Sequence, residues 1–322
     1  MTDFQWRSIE LADIESWLTL LEAIEAVDQE HEHYSVDQLR EWLTDPDIDR
    51  ERGTVGVWDG DRMVGYARLR CRSAATDEHL MFAQGAVHPE YRGRGLGGAL
   101  LRWQEEHAPA LHRARYPELP LKLYGASKQG QEDSTALYKA YGFEVGRWFF
   151  DMVCDLTTAQ LPGDQLPEGV ASVPFAAERR ADGLAVRNDS FRDHWGSTPA
   201  TEASWEHSTS GSASRPELSR IAYDDATGEA LAIVLAEEYE QGPGAPGREL
   251  YIALVGTRRA ARKRGIASAL LTEVLRAGQA EGYALSSLGV DADSPTGALG
   301  LYQRLGYTPR ETWLSQLKPV AF

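Results

Sequence analysis

An internal duplication is the feature that most constrains how this chain can fold. Residues 83–107 read AQGAVHPEYRGRGLGGALLRWQEEH, and residues 251–275 read YIALVGTRRAARKRGIASALLTEVL, with an arginine, a small residue and a leucine pair at matching places. A second matching pair follows, STALYKAYGF at 134–143 and GALGLYQRLGY at 297–307. The copies keep their order and lie about 165–170 residues apart, which is a domain length and not the period of a solenoid. The sequence therefore predicts two related domains.

The boundary between the two domains is predicted from composition. The segment TTAQLPGDQLPEG at 157–169 is rich in Pro, Gly and Thr and has no apolar periodicity, as is typical of a linker. It separates an N-terminal domain, 1–156, from a C-terminal domain, 170–322. A hydrophobic content of 42% with 25% charged residues allows each half to bury a core of its own.

The two halves share one predicted order of elements. In the first half, Ser35 begins a helix through a capping box with Gln38, and Asp59-Gly60 is the turn of a hairpin. An apolar strand, a glycine turn, a helix, the strand LKLYGAS, a second helix and a last strand, FEVGRWFFDMVCDL, follow. The second half repeats this order from GVASVPF to TWLSQLK. This pattern predicts an α/β fold in which each domain has a mixed central sheet flanked by helices.

Net charge and cysteine content exclude several classes of function. A net charge of −16 argues against a nucleic-acid partner and is compatible with a cationic amine. Two isolated cysteines, Cys71 and Cys154, are predicted to be reduced core thiols. Neither a signal peptide nor an apolar run of membrane-spanning length is present, which predicts a cytoplasmic protein without membrane contact. Nothing in the sequence indicates an oligomer.

Each half carries Arg-x-x-Gly-x-Gly/Ala between a predicted strand and a predicted helix. The first N–H groups of a helix lack partners and point at a ligand, and small residues let an anion approach them. Arginines add charge-assisted donors. We therefore predict phosphate binding by the two loops, formed by Arg92, Gly93, Arg94, Gly95, Leu96 and Gly97, and by Arg262, Lys263, Arg264, Gly265, Ile266 and Ala267.

Other glycine-rich phosphate motifs do not match these loops. A dinucleotide fingerprint needs Gly-x-Gly-x-x-Gly with an acidic residue about 20 positions later, and a Walker loop needs Gly-Lys-Ser/Thr. Neither pattern occurs at the loops. A glycine turn with solvated arginines is the alternative for a single copy, and the presence of two copies in matching contexts disfavours it.

The loop sequence resembles a known family. VHPEYRGRGLGGALL is similar to the acetyl-CoA-binding motif of the GNAT superfamily of N-acetyltransferases, and LYKAYGF and LYQRLGY resemble its Leu-Tyr-x-x-x-Gly-Phe/Tyr signature. The resemblance covers the C-terminal two-thirds of each half. The tandem layout is more loosely similar to that of actinobacterial tandem acetyltransferases of the mycothiol synthase type.

The resemblance implies a mechanism and a set of site residues. The strand before each loop would bind the pantetheine arm of acetyl-CoA through its backbone, at Ala86 and Val87 and at Leu254 and Val255. An amine would attack the thioester directly, with no enzyme nucleophile. Tyr138 and Tyr302 match the tyrosine that protonates the departing thiolate, the alternative being a ring that packs on the sheet. The asparagine that the family often has seven residues earlier is replaced by Gln131 and Pro295.

The general base and the acceptor pocket have weaker signals. Glu249 begins the strand before the second loop, where the family often supplies a carboxylate, and Glu237, Glu238 and, in the first half, Glu78 are alternatives. A water relay would leave no signature. The segment NDSFRDHWGSTP contains Asp193, His194 and Trp195, which either line the acceptor pocket, with Asp193 pairing an ammonium group, or lie on a packed helix end.

The predicted function is acetyl-CoA-dependent N-acetylation of the amine of a small molecule, without a metal. His31 and His33 point apart on a helix and lack a third ligand, so they do not indicate a metal site. Two alternatives remain. One domain could be a non-catalytic CoA-binding scaffold or sensor, or the acceptor could be a protein N-terminus or lysine. The acceptor segment slightly favours catalysis in the second half.

Overall fold

The computed structural model describes residues 4–294 and 297–321. Its helices are α1 (Ile14–Asp28), α2 (Val36–Thr44), α3 (Arg50–Gly53), α4 (Leu96–Arg115), α5 (Glu132–Ala140), α6 (Arg180–Ser190), α7 (Glu202–Thr209), α8 (Ile266–Ala280) and α9 (Ala298–Arg304). Its strands are β1 (Gln5–Arg7), β2 (Thr54–Asp59), β3 (Arg62–Arg70), β4 (His79–Val87), β5 (Leu121–Lys128), β6 (Glu144–Asp155), β7 (Val170–Pro174), β8 (Arg220–Asp224), β9 (Ala230–Glu238), β10 (Glu249–Thr257), β11 (Leu285–Asp291) and β12 (Thr308–Val320).

The chain forms two units whose boundaries differ from the contiguous halves that the sequence predicts. One unit comprises Met1–Arg147 with Trp313–Phe322, and the other comprises Trp148–Thr312. Residues 149–155 of β6, expected to close the sheet of the first half, pair with β11 in the second unit. Residues 313–320 of β12 pair with β5 in the first unit. The predicted domains 1–156 and 170–322 therefore exchange their last strands.

Both units have the same mixed sheet, as the fold class predicts. In the first unit β1, β2, β3 and β4 are antiparallel neighbours, β4 is parallel to β5, and β5 is antiparallel to β12. In the second unit the same pattern runs through β7, β8, β9 and β10, then the parallel β11 and the antiparallel β6. The parallel pair in the middle of each sheet is the place where the predicted site lies.

The helices after the two loops form the core on one sheet face. On α8 the side chains of Leu270, Leu271, Val274 and Leu275 are completely buried against the second sheet. On α4 the side chains of Leu100, Leu101 and Leu111 are buried against the first sheet. Apolar residues three and four apart place one stripe of each helix on the sheet, and burial of that stripe provides most of the helix's stability.

The segment predicted to be a linker packs against the second unit. Ala159, Leu161 and Leu166 contact its core. Gln279 on α8 donates hydrogen bonds to the carbonyl oxygens of Leu156 and Ala159, at 2.8 and 3.1 Å. The Pro- and Gly-rich composition reflects the lack of regular secondary structure there, and side-chain contacts along α8 hold the segment in place.

Several local predictions are confirmed. The Ser35 hydroxyl accepts from the Gln38 N–H at 3.2 Å, and the Gln38 side chain accepts from the Ser35 N–H at 2.8 Å, which is the predicted capping box. Cys71 and Cys154 are buried and free, and burial raises the pKa of each thiol to about 11. Among the described residues, no helix combines the length and apolarity needed to cross a membrane.

Candidate active site

The second unit contains a cleft where two parallel strands separate. The β10–β11 pairing covers only Glu249↔Leu285 to Tyr251↔Ser287. Beyond this point β10 continues to Thr257 along β9, and β11 continues to Asp291 along β6. Backbone groups on the edges that face the gap are therefore available to a ligand, since a strand edge that ends its pairing leaves its N–H and C=O groups exposed.

A β-bulge accentuates this separation. On β10 Ile252 pairs with Ala236 of β9 and Leu254 pairs with Leu235, so Ala253 is an extra residue between them. A bulge bends its strand and increases its twist. The predicted pantetheine-binding residues Leu254 and Val255 follow directly after it and line the cleft.

The loop after β10 has the backbone that anion binding requires. Gly265 has φ +80° and is the N-cap of α8, with no side chain capping the helix. A Cβ built on Gly265 would meet no atom within 4 Å, so the space above the first turn is open. Lys263 also has a positive φ, +63°. The uncapped N–H groups of α8 and the cationic side chains beside them therefore fit a pyrophosphate.

Loop and strands together enclose a cavity of about 670 Å³. This volume is within the range of small-molecule and cofactor sites. Residues from β10, the loop, β11, α9 and the segment after α6 line it, including Ile252, Ala253, Leu254, Val255, Arg262, Lys263, Gly265, Ile266, Ala267, Ser268, Leu288, Gly289, Val290, Asp291, Leu301, Tyr302, Phe191, Asp193 and His194.

The predicted catalytic residue Tyr302 lies on the wall of this cavity. Its side chain is 7% exposed, and its ring centroid is 6.0 Å from that of Tyr307. Burial raises the pKa of Tyr302 to about 12. The phenol is therefore protonated at neutral pH and is a proton donor. In residues 4–294 and 297–321 its hydroxyl makes no hydrogen bond, so it is available to a bound ligand.

Glu249, the predicted general base, is held by an arginine from the end of the chain. The Arg310 Nη atoms donate to its two carboxylate oxygens at 3.1 and 3.2 Å, and Ser287 donates to the same carboxylate. The Arg310 Nε donates to Asp151 at 2.8 Å. Burial lowers the pKa of Arg310, but its bonds with Glu249 and Asp151 outweigh this and the net pKa is raised. Arg310, Asp151 and Ser287 had no motif that could have identified them from the sequence.

The alternative carboxylates have other partners. Glu238 accepts from Arg248 at 2.7 and 2.9 Å, from Arg215 at 2.9 Å and from Tyr283 at 2.7 Å. The hydrogen bonds from Arg248 are the main reason that the pKa of Glu238 is lowered to about 2. This carboxylate is a structural anchor and a poor base. Glu237 accepts from the Tyr239 hydroxyl.

The segment after α6 differs in part from its predicted role. Asp193 does not face a free acceptor position, because its carboxylate pairs with Arg259 and lies 3.7 Å from Arg262 of the loop. His194 lines the cavity, and its Nδ1 is 3.2 Å from the Trp195 carbonyl. The Trp195 ring lies 6.4 Å from that of Phe149, another cavity residue.

The first unit repeats the strand separation and the loop. Its parallel β4–β5 pairing ends at Phe82↔Tyr124. Gly93 and Gly95 have φ +71° and +83°, and α4 begins directly after Gly95 without a side-chain cap. The β3–β4 register is continuous from Phe82 to Val87, without the bulge found in β10. The predicted pantetheine-binding residues Ala86 and Val87 therefore lie on a straighter strand.

The C-terminal end of α1 bridges this first cleft. Both Nη atoms of Arg92 donate to the Asp28 carboxylate at 2.7 Å. At the end of β5, the Lys128 Nζ donates to the carbonyl oxygens of Asp28 and Gln29 at 3.0 and 2.9 Å. Residues 28–29 thus connect the phosphate loop to the opposite strand. The arginine that the sequence assigns to phosphate already has a carboxylate partner.

The remaining first-unit candidates are packed or paired. The Tyr138 ring lies over Gly125, where a Cβ would come within 2.6 Å of it, and burial raises the pKa of Tyr138 to about 12. Gln131 donates to Glu30, and Glu78 pairs with Lys122 at 2.6 Å. Pro295 lies outside the described residues. No cluster of three metal-ligating side chains occurs in the part of the chain that the structure describes.

Comparisons with known proteins agree with this geometry. Residues 51–145 match the family model described as acetyltransferase (GNAT) domain, and residues 183–307 match the one described as acetyltransferase (GNAT) family. The mycothiol acetyltransferase of Streptomyces avermitilis is 29% identical over 255 residues, which cover 79% of this chain and 75% of that protein. The mycothiol acetyltransferase of Thermobispora bispora is 27% identical over 257 residues, 78% of this chain and 79% of that protein.

Two solved structures extend the likeness to the whole chain. A GCN5-related N-acetyltransferase from Sphaerobacter thermophilus has a TM-score of 0.74 and 25% identity, covering 98% of this chain and 95% of that one. A tandem GNAT protein from the clavulanic acid biosynthesis pathway has a TM-score of 0.72 over 99% of both chains. At 15% identity the second likeness shows the fold alone.

Proposed function

We propose that this chain, which belongs to the GNAT family of acetyltransferases in both of its halves, acetylates the amine of a small molecule in its second unit. The assignment to the second unit rests on the open cleft between β10 and β11. In the first unit the corresponding cleft is bridged by Asp28 and Gln29. A donor needs a strand edge for its pantetheine arm and free N–H groups for its pyrophosphate, and the second unit offers both.

The donor-binding residues follow from this geometry. Gly265, Ile266 and Ala267 would present the first N–H groups of α8 to the pyrophosphate, with Arg262, Lys263 and Arg264 neutralising its charge. Leu254 and Val255 would contact the pantetheine arm. When bound, acetyl-CoA supplies a thioester carbonyl that an amine nitrogen can attack.

Tyr302 is proposed as the proton donor to the departing thiolate. It is on the cavity wall, it is protonated at neutral pH because burial raises its pKa to about 12, and its hydroxyl has no competing hydrogen bond among the described residues. A thiolate is a weak base whose protonation by a nearby phenol requires close contact, so position on the wall matters as much as pKa.

Glu249 is proposed as the carboxylate that receives the proton of the acceptor ammonium. Arg310 and Ser287 hold its two oxygens in one orientation. Its side chain is 15% exposed, which leaves limited access for an acceptor or a relaying water.

A small molecule is favoured over a protein as acceptor for two reasons. The relatives that cover most of this chain are named for a small molecule, mycothiol. The cavity is also walled by residues of the segment after α6, among them Phe191 and His194. His194 and Trp195 are proposed as acceptor contacts, whereas Asp193 would act on the donor side through the loop arginines that it already binds.

The first unit is proposed to be a scaffold without turnover. Its Arg92 is neutralised by Asp28, and the Tyr138 hydroxyl already has a hydrogen bond with the Ala126 backbone. The experiment that tests the whole proposal is release of free CoA from acetyl-CoA with a panel of amino sugars, aminoacyl amides, polyamines and peptides. Turnover with a small amine that Tyr302→Phe lowers by about 10²-fold or more and Tyr138→Phe retains would support the proposal. Turnover with peptides alone would favour a protein acceptor instead.

A further inference from the structure

An arginine in the first unit is buried without an ion pair to any of the described residues. Arg68 lies in the middle of β3, paired with Gln84 of β4, and its side chain points to the face covered by α1 and α2. The residue is 7% exposed. Its guanidinium carbon lies 3.7 Å from the centroid of the Trp42 ring. Among the described residues the charged group makes no ion pair or hydrogen bond, although Asp45, which pairs with Arg70, attracts it from a longer distance.

The hydrogen-bonding capacity of Arg68 is unused. The Nε atom is enclosed and has no hydrogen-bond partner in residues 4–294 and 297–321. The Nη atoms take part in no hydrogen bond or ion pair there either, and they are not enclosed as Nε is. Arg70, two residues along the same strand, contrasts with this, since it pairs with Asp45 at 2.7 Å and with Asp47 at 3.1 Å.

A buried guanidinium without a counter-ion is unfavourable, and proteins pair such charges. Burial lowers the pKa of Arg68, but an arginine side chain stays protonated in proteins. The missing partner of the charge is therefore to be sought outside the chain. A guanidinium that stacks on an aromatic ring keeps its N–H edges free, and those edges match the two oxygens of a carboxylate.

The surroundings of Arg68 define the size and charge of a ligand. The partly exposed rings of Tyr34 and Trp42 form the wall, 4.7 Å apart between centroids. The buried Trp17 ring lies 5.9 Å from that of Trp42 and 5.2 Å from that of Tyr66. Burial is the main reason that the pKa of Tyr66 is raised to about 12; Arg68 opposes the shift, and two nearby acidic residues, Glu32 and Glu30, add to it. The Tyr34 hydroxyl donates to Glu32. These carboxylates repel a dianion, and the rings favour an apolar body.

We propose that Arg68 anchors a site in the first unit for the carboxylate of a small monoanionic organic acid whose apolar part packs on the partly exposed rings of Tyr34 and Trp42. The exposed side chain of Gln84, opposite Arg68 on the strand that borders the first cleft, marks the side from which a ligand enters. This site is distinct from the loops and needs no acetyl transfer, so the test of ligand binding there does not depend on the proposed function.

The test is binding of benzoate, butyrate and acetate to the full chain without acetyl-CoA, by calorimetry and by thermal unfolding at constant ionic strength. Benzamide and butyramide are the matched neutral probes, and inorganic phosphate is the multiply charged one. We expect at least one carboxylate to bind and to raise the Tm, with its amide giving no response. Arg68→Lys should weaken binding at least tenfold, because it keeps the charge and loses the two-point geometry.

Two further variants keep the test decisive. Arg68→Met should abolish the carboxylate response and raise the Tm of the ligand-free protein, because it removes an unpaired buried charge. Arg70→Met, which breaks an existing ion pair on the same strand, should lower the Tm and retain the response. The proposal is overturned if no carboxylate gives an Arg68-dependent response, if amides bind as well as acids, or if phosphate alone binds. A merely structural Arg68 would instead lower the Tm when changed to Met.

Discussion

The Asp28 carboxylate accepts hydrogen bonds of 2.7 Å from both Nη atoms of Arg92, the arginine that opens the phosphate loop of the first unit. The equivalent arginine of the second unit, Arg262, donates to the Ser190 carbonyl at 2.7 Å and lies 3.7 Å from Asp193. A two-point bond between ions is stronger and more directional than a single long contact. A phosphate must therefore displace a carboxylate that is bonded at two points to reach Arg92, whereas Arg262 has only a carbonyl and a more distant carboxylate beside it.

The first prediction concerns the number of donor sites. Calorimetric titration of acetyl-CoA should give one site per chain, which Gly265→Glu abolishes and Gly95→Glu leaves unchanged. Both glycines have φ near +80° and open space at the Cβ position, so backbone strain is matched between the variants. Ala267→Glu, inside α8, blocks the same loop without a positive φ. Two equivalent sites in the wild type would contradict the assignment of the donor to the second unit.

The second prediction follows from the Asp28–Arg92 pair. In the Gly265→Glu background, Asp28→Asn should restore weak binding of acetyl-CoA, because the amide keeps the size of the side chain and frees the charge of Arg92. Asp37→Asn is the control, since Asp37 pairs with Arg40 on an exposed helix surface and is remote from the loop. Continued absence of binding in the double variant would mean that the C-terminal end of α1 is not what closes the first cleft.

The third prediction concerns the tyrosines. Tyr302→Phe should lower kcat by about 10²–10⁴-fold with little change in acetyl-CoA affinity, because it removes only a proton donor. Tyr138→Phe should change kcat by less than about twofold, because Tyr138 takes no part in the proposed reaction. Because burial raises the pKa of Tyr302 to about 12, the protonated form persists below that pH. If the wild type lost activity between pH 8 and 10 and the residual activity of Tyr302→Phe did not, this role of Tyr302 would be contradicted.

The fourth prediction separates two acidic residues on neighbouring strands. Glu249→Gln should lower kcat by about tenfold or more, as expected for loss of a general base. Glu237→Gln, opposite Tyr251 on β9, should have a much smaller effect. Thermal unfolding of both variants controls for stability, since Glu249 also binds Arg310. Equal losses in the two variants would contradict the assignment of Glu249 as the base.

The fifth prediction concerns stability and pH. The pKa of Glu238 is lowered to about 2, mainly by hydrogen bonds from Arg248, whereas an unperturbed glutamate in the unfolded chain has a pKa of 4.5. Its contribution is therefore fully present above pH 4.5 and is lost as the pH falls toward 2. Glu238→Gln should lower the unfolding free energy by about 2 kcal/mol at pH 7, and the difference should shrink below pH 4. Urea titrations at several pH values measure this, with the exposed Glu206→Gln as control.

Much of the architecture could be predicted from the sequence because it depends on local patterns. The duplication, the capping box at Ser35, the mixed sheet and the two loops follow from residue periodicity and from the conformations that glycine permits. The positive φ of Gly95 and Gly265 is such a local property. The GNAT relationship also rests on contiguous motifs, which is why it could be recognised in each half separately.

The exchange of the last strands could not be predicted in this way. Residues 149–155 and 313–320 are copies of the same repeat position, and each is compatible with the edge of β5 or of β11. A periodic pattern specifies that a strand pairs with an edge and does not specify which of two equivalent edges it takes. The choice depends on contacts between residues far apart in sequence, such as Arg310 with Asp151 and Glu249.

The sequence by itself thus determined the family, the elements and the position of both loops that are predicted to bind phosphate, since each of these is encoded within a short stretch of chain. Tertiary structure alone decided which loop is accessible and which residues hold the proposed base. The pairing of Asp28 with Arg92, and of Glu249 with Arg310, joins side chains 64 and 61 residues apart. No sequence pattern specifies which charged residue pairs with which, so only the folded chain shows whether a loop arginine is free for a ligand or pairs with a carboxylate of the same chain.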